Sequence, residues 1–258
     1  AVNERKKATL ETQSGQKRAD RERNLHATHE NTAAILAAKR PTFPRATDAN
    51  AYLRRKGISA HEGLRKNCYG NLVIPAQDIH GKVWAAQKIY TDGSKCYQAN
   101  SLKPGCFHVL DAAPGQGVPV LAQATIIILA ESYATAATIA ETVSHPTVVA
   151  FDSGNLMPVA QTLRKHFPGK PILICGNDDR HLERNNKLGA GYHNAINAAQ
   201  AVAGVAIFPS FSSDETSGRL KEFISFNDLA QKSLHGRTAV ETAIRSGISQ
   251  AQDTIPRE

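Results

Sequence analysis

Long apolar runs are missing from this sequence. The most hydrophobic stretch, ATIIILA at 124–130, has seven residues, whereas a bilayer-spanning helix needs roughly 20. It has the length of a buried strand. The opening AVNERKKATL lacks the apolar segment of a secretory signal, so the cytoplasm is the expected compartment and no membrane association is expected. Cysteine is sparse: Cys68, Cys96, Cys106 and Cys175 lie far apart, with no C-x-x-C pair. Reduced thiols are expected, and zinc is not. His26-x-x-His29 sits in a polar stretch and reads as a solvated pair. There is no internal repeat and no low-complexity block. Gly115-Gln116-Gly117 and Gly189-Ala190-Gly191 fall short of a G-x-G-x-x-G fingerprint, which removes the signal for a dinucleotide fold.

With 41% hydrophobic and 21% charged residues, the 258 residues have the composition of an ordinary globular chain. The net charge of +8 is unevenly spread. Residues 1–110 hold 19 Lys and Arg against 9 Asp and Glu, while residues 111–258 hold 12 against 14. A basic part suited to gripping a polyanion is joined to a mildly acidic part that keeps carboxylates for another purpose.

Four regions follow. Residues 1–45 are rich in Glu, Lys, Arg, Gln and Ala and predict an exposed arm of one or two helices, with Gly15 as a breaker and apolar packing only near Ala33-Ala34-Ile35-Leu36. Residues 46–120 predict a basic α+β subdomain. It starts with a short helix from Asp48, a plausible N-cap, to Lys56, stopped by Gly57. An antiparallel meander follows, with turns at His80-Gly81 and Asp92-Gly93, and a period of two suggests Lys82, Lys88 and Lys95 on one basic face. A loop around Pro114, Gly115 and Gly117 closes it. Residues 121–212 alternate strands at 125–130, 147–151, 171–175 and 205–209 with helices at 134–143, 156–166 and 187–202, the last opening at Lys187, which predicts a parallel sheet wrapped by helices. Residues 213–258 predict a C-terminal helical segment, with a helix near 238–246.

In a parallel sheet, ligand chemistry collects at the carboxyl ends of the strands. Glu131 directly follows the most apolar strand, and Asp178 and Asp179 directly follow PILICG. Both positions therefore face one edge. Carboxylates brought together repel one another, and a hard divalent ion relieves that repulsion through oxygen ligands. Asp152, in Asp152-Ser153-Gly154-Asn155, is a possible further site residue on the same edge, with helix capping as its plain alternative. Asp228 is another possible one.

ILAESYATAATIAE resembles the first signature of Toprim domains and ILICGNDDRH the second. The order YLRRKGI, GNLVIPAQDIHGKVWAAQKIYTDGSK, GCFHVL, ILAESYATA, ILICGNDDRH and FNDLAQ is similar to the catalytic core of primases carried by conjugative plasmids and phages, over residues 46–229. The resemblance implies a Toprim-like α/β fold, magnesium or manganese as cofactor, and single-stranded DNA and nucleoside triphosphates as partners. A helicase, a relaxase or other replication and transfer proteins are further expected partners. It implies catalytic roles for Glu131 and Asp179, with Glu131, Asn177, Asp178 and Asp179 as the metal set. Arg54, Arg55, Lys56, Lys82 and Lys88 are candidates for nucleic-acid contacts, with Trp84 and Tyr90 as stacking surfaces.

Two departures matter. The second signature normally reads D-x-D, and here Asn177 stands where the first acid is expected, which weakens the site or leaves Asp178 to substitute. Ser132 stands where Gly is common. Primases of this group also usually carry a zinc-binding module ahead of the core, and none is visible in this sequence, which leaves open a fragment of a larger protein or a form that has lost template-sequence recognition. A weakened Toprim module that binds single-stranded DNA or a replication partner, and a Toprim nuclease, stand as alternatives.

Overall fold

Helix α1 (Val2–Lys39) runs unbroken through Gly15 and opens the computed structural model, which describes residues 2–113, 115–185, 189–216 and 220–254. Pro114 and Lys187, named above in a loop and at a helix start, lie outside the described residues. The remaining elements in order are α2 (Ala51–Lys56), β1 (Arg65–Lys66), β2 (Leu72–Gln77), β3 (Val83–Ile89), β4 (Lys95–Tyr97), β5 (His108–Val109), α3 (Gly117–Gln123), β6 (Ile127–Ala130), α4 (Tyr133–Val143), β7 (Thr147–Val149), α5 (Leu156–His166), β8 (Ile172–Cys175), α6 (Ala190–Ala201), β9 (Val205–Ile207), α7 (Ser213–Thr216), α8 (Phe226–Lys232) and α9 (Gly236–Asp253).

The first sheet, ordered β1-β2-β3-β4, is antiparallel throughout. Gly81 (φ 83°) and Gly93 (φ 94°) make its turns, where a side chain would be strained. Helix α2 is capped by Asn50, whose Oδ1 accepts from the N–H groups of Tyr52 and Leu53. Asp48, expected in that role, instead accepts from the Ala60 N–H at 2.6 Å. The stop at Gly57 is left-handed, with φ 59°.

One face of this sheet carries Val73, Trp84 and Ala86, and α1 lies across it, with Leu36 packed on Val73 and Ala86. Lys88 pairs with Cys96 and Ile89 with Lys95. Lys88 and Lys95 therefore point to opposite faces, and the common basic face suggested by strand periodicity does not form. A bulge at Ala76/Gln77 shifts the register by one residue and turns Gln77 toward Phe107, with which it exchanges two backbone hydrogen bonds of 2.8 Å. That bridge joins the first sheet to the second.

The second sheet, β5-β7-β6-β8-β9, is parallel except for the edge strand β5. Strands β6, β7 and β8 are buried along their whole length, as their continuous apolar sequence requires. Helices α5 and α6 cover one face with Leu156, Val159, Leu163 and Ala195, against Ile127 and Leu129. Helices α4 and α9 cover the other, where Ala136, Ile139, Val240 and Ile244 share a core with Ile128.

A polar knot fastens α4 and α9 to the loop after α2. His61 Nδ1 lies 2.8 Å from Asp111 and its Nε2 3.2 Å from Glu141, while Arg237 Nη2 donates to Glu141 at 2.8 Å and to the Gly57 carbonyl at 2.7 Å. Burial disfavours the His61 cation, but hydrogen bonds to Glu141 and Asp111 outweigh it and raise its pKa above 6.5. Burial likewise works against the Glu141 anion, and hydrogen bonds from His61, the Ser59 N–H and Arg237 hold its pKa below 4.5. The Glu141 contribution is present above its ordinary pKa and is lost as pH falls through its depressed value. The His61 contribution is present below 6.5 and is lost as pH rises through its raised value. The melting-temperature gap between the wild type and His61→Asn is therefore expected to be widest between pH 4.5 and 6.5 and to narrow on both sides. Thermal melts from pH 3 to 9 check this, and a gap independent of pH contradicts it.

Candidate active site at the carboxyl edge of the second sheet

After β6 the chain passes through α4 to β7 on one side, while after β8 it passes through α6 to β9 on the other. The crevice between the carboxyl ends of β6 and β8 is thus a topological switch point, the place where open α/β sheets hold ligands. Glu131 follows β6 and Asn177-Asp178-Asp179 follows β8, so the topology brings them to this crevice.

Asn177 Nδ2 donates to Glu131 Oε2 at 2.9 Å. Its Oδ1 is buried and has no hydrogen-bond partner. Asp179 accepts from the backbone N–H groups of Gly191 at 2.8 Å and Tyr192 at 3.0 Å, so its carboxylate is fixed on the N-terminus of α6. Gly191 is needed for that approach: a Cβ there would lie 3.1 Å from Asp179 Oδ2 and 3.2 Å from Asn177 Cβ. Asp178 has a different environment. Arg180 grips both its oxygens, at 2.8 and 2.6 Å, and these hydrogen bonds hold its carboxyl below the usual range. Its N–H donates to the Ile224 carbonyl. Asp178 therefore serves an ion pair with Arg180 and does not take over the place of the missing first acid.

Burial pushes the Glu131 carboxyl up to about 7; Lys95 opposes the shift, and Asp179 and Asp152 add to it. The Lys95 ammonium is pulled down by burial and by Lys56, against the attraction of Glu131. Lys95 stands at the cleft wall, open to solvent yet ringed by protein. Asp152 caps the turn ahead of α5, accepting from the Asn155 N–H at 3.1 Å, and pairs with Lys103 at 2.6 Å. Before it, Phe151 is held at φ 77°. For a bulky residue that is a strained conformation, of the kind that concentrates at ligand sites.

A polar cleft of about 290 Å³ opens beside Ser132, lined also by Arg55, Lys56, Lys95 and the first turn of α4. Ser132 caps α4, accepting from the Thr135 N–H at 3.3 Å. Three cations beside a helix N-terminus favour an anion. The other sequence candidates lie elsewhere. Trp84 is 8% exposed, its Nε1 donates to Asp78 at 2.7 Å, and His26 and Lys82 cover its ring. Lys82 is paired with Glu30 of α1 at 2.6 Å. Both belong to the seat of the arm, a role invisible without knowing which face α1 covers. Lys88 is half-buried on the sheet face away from Lys95, Arg54 is exposed on the last turn of α2, and the Tyr90 hydroxyl meets Cys96 Sγ at 3.2 Å. Asp228 is buried in a capping box with Ser225 and pairs with Lys232 at 3.0 Å, well accounted for as a helix cap.

Lys95, Lys103 and Gly191 are the neighbours that sequence reading alone did not assign to the site. Lys95 was visible only as one of a row of lysines, and Gly191 only as part of a discarded glycine pair. Among the described residues no three His, Cys, Asp or Glu side chains gather as a metal site. The set at the crevice is instead two carboxylates and an amide. Its unpartnered buried Asn177 oxygen and the mutual repulsion of its acids suit a hard cation with oxygen ligands.

No family model matches the chain. A "DNA primase TraC" of Escherichia coli is 40% identical over 216 residues, which is 83% of this chain and 20% of that protein. A second "DNA primase TraC" of Escherichia coli is 41% identical over 216 residues, 83% of this chain and 15% of that protein. The chain thus spans a fifth or less of the length of these relatives. Among solved structures, the DnaG primase catalytic domain bound to ssDNA aligns with a TM-score of 0.48 at 15% identity, covering 88% of this chain and 80% of that one. The primase fragment of the bacteriophage T7 primase-helicase protein aligns with a TM-score of 0.42 at 16% identity, covering 67% of each. Over most of its length the chain is therefore homologous to a segment of DNA primase TraC.

Proposed function

We propose that this chain is the catalytic core of a Toprim-type DNA primase, which makes short RNA primers on single-stranded DNA by metal-dependent nucleotidyl transfer, in plasmid transfer or mobile-element replication. The observation that carries the reading is the meeting of Glu131 and Asn177 across the β6/β8 crevice, with Asp179 in electrostatic reach, in a chain 40% identical to a DNA primase over 216 residues. In this reading 46–120 guides the template, 121–212 is the Toprim domain, 1–45 is an arm and 213–258 a helical buttress.

Glu131, Asn177 and Asp179 would hold a magnesium or manganese ion, which when bound positions a nucleoside triphosphate and offsets charge on its phosphoryl oxygens. Burial raises the Glu131 carboxyl to about 7, a bound ion would lower it again, and the resulting carboxylate is suited to accept the proton of an attacking 3′-hydroxyl. Lys95, Lys56 and Arg55 offset the negative charge of phosphates in the adjoining cleft. A second reading, a weakened module that binds single-stranded DNA or a replication partner, is favoured by one observation: the Asn177 amide brings no charge and occupies a Glu131 lone pair.

Three outcomes follow from this assignment. Incubated with magnesium or manganese, a single-stranded template and ribonucleotides, the protein is expected to yield short oligomers, and Glu131→Gln to lose roughly 10²- to 10⁴-fold of that rate; undiminished product would remove Glu131 from catalysis. Asn177→Asp adds a third acid to the set and is expected to tighten divalent-ion binding by calorimetry and raise primer yield. If neither protein binds the ion while salt-sensitive DNA binding persists, the binding-module reading stands. Lys95→Met removes an attraction that lowers the Glu131 pKa, so the acidic limb of the pH–rate profile should move to higher pH. A limb that stays put, or moves down, contradicts the pairing. Cleavage of labelled DNA by metal alone would point to a nuclease.

A further inference from the structure

Tyr69 is the only Phe, Tyr or Trp side chain among the described residues left in the open, 80% exposed at the tip of the β1–β2 hairpin. The tip is stiff. Asn67 Oδ1 accepts from the N–H groups of both Tyr69 and Asn71 at 3.0 Å, the Asn67 N–H donates to the Asn71 carbonyl at 2.9 Å, and Asn50 Nδ2 ties the Gly70 carbonyl to the start of α2 at 2.8 Å. The ring is therefore presented with little backbone freedom left to lose on binding.

Strand register fixes where this tip lies. Leu72 opens β2 opposite Ile89, which closes β3, so the Asn67–Asn71 turn and the turn leading from Tyr90 to Ser94 share one end of the sheet. Arg55 crosses under that second turn, donating to the Thr91 carbonyl at 2.7 Å, and also lines the cationic cleft with Lys56 and Lys95. Residues 41–72, which build this end together with the hairpin, carry six Arg and Lys against two Asp and Glu. An open aromatic face on a segment rich in cations is what a single-stranded polyanion with exposed bases recognises: cations take the backbone and the ring takes a base.

Resting on the primase reading, we infer that Tyr69 is a stacking platform for one base of single-stranded nucleic acid, holding the strand at the end of the first sheet that leads into the cleft. Tyr69 bears no charge, so it acts through the base and not through counterion release. A protein partner is disfavoured here by the surplus of cations in the segment that carries this single ring.

Fluorescence anisotropy with a labelled oligodeoxynucleotide, and with one of the same length made entirely of abasic sites, tests this on the full chain. Tyr69→Ala is expected to weaken binding to the base-bearing strand about tenfold, within the range for one stacked base. It should leave the salt slope and the melting temperature unchanged and bind the abasic strand as the wild type does. Tyr69→Trp should restore affinity, whereas Lys56→Ala should weaken both strands and lower the salt slope by about one. Equal losses for Tyr69→Ala on both strands, or no loss on either, would overturn the stacking role while leaving the primase reading intact. Failure of the wild type to bind either strand would overturn both.

Discussion

Everything at the crevice depends on a hydrogen bond between neighbouring strand ends: Asn177 reaching across to Glu131 over 2.9 Å. It is short because β6 and β8 are adjacent and in register, with Ala130 opposite Cys175, so the residues that leave these two strands emerge side by side. Asp179 joins them because it and Asn177 both approach Gly191, whereas Asp178 is taken by Arg180. Helix α6 then fixes Asp179 with two backbone amides, and Gly191 leaves the room for it.

The cost of that arrangement falls on Glu131. It is removed from water and faces Asp179 and Asp152, which pushes its carboxyl up to about 7, and Lys95, delivered from the first sheet, is the cation that opposes the shift. The two sheets thus meet electrostatically at the site as well as through the Gln77–Phe107 bridge. Phe151, strained beside Asp152, and Ser132, capping α4 beside the cationic cleft, extend the same edge. A basic first part and an acidic second part are the composition such a joint requires.

Much of the architecture is legible in the sequence. Continuous apolar strands at 125–130, 147–151 and 171–175, alternating with helical periods, leave few choices but a parallel sheet, and Asp92-Gly93 marks a hairpin of the first, antiparallel sheet by turn chemistry. Strand β5, with only His108 and Val109 paired to β7, is too short to leave a period. The acids after β6 and β8 are visible as strand-end residues, but the division of labour between Asp178 and Asp179 is not, since it hangs on Arg180 for one and on the N-terminus of α6 for the other. That Trp84 and Lys82 lie against α1 is not legible in the sequence, because a strand does not say what covers its outer face; here α1 does, through His26, Glu30 and Leu36. The bulge at Ala76/Gln77 and the opposed lysines, Lys88 and Lys95, are likewise properties of register and not of composition.

The central claim is that Glu131, Asn177 and Asp179 form one oxygen-ligand site for a divalent ion. Electron paramagnetic resonance titration of manganese into the wild type, Glu131→Gln and Asp179→Asn measures it most directly. One bound ion in the wild type, weakened in both variants and displaced by magnesium, is the result expected. Binding that is equally tight in all three proteins, or absent from the wild type, would contradict it.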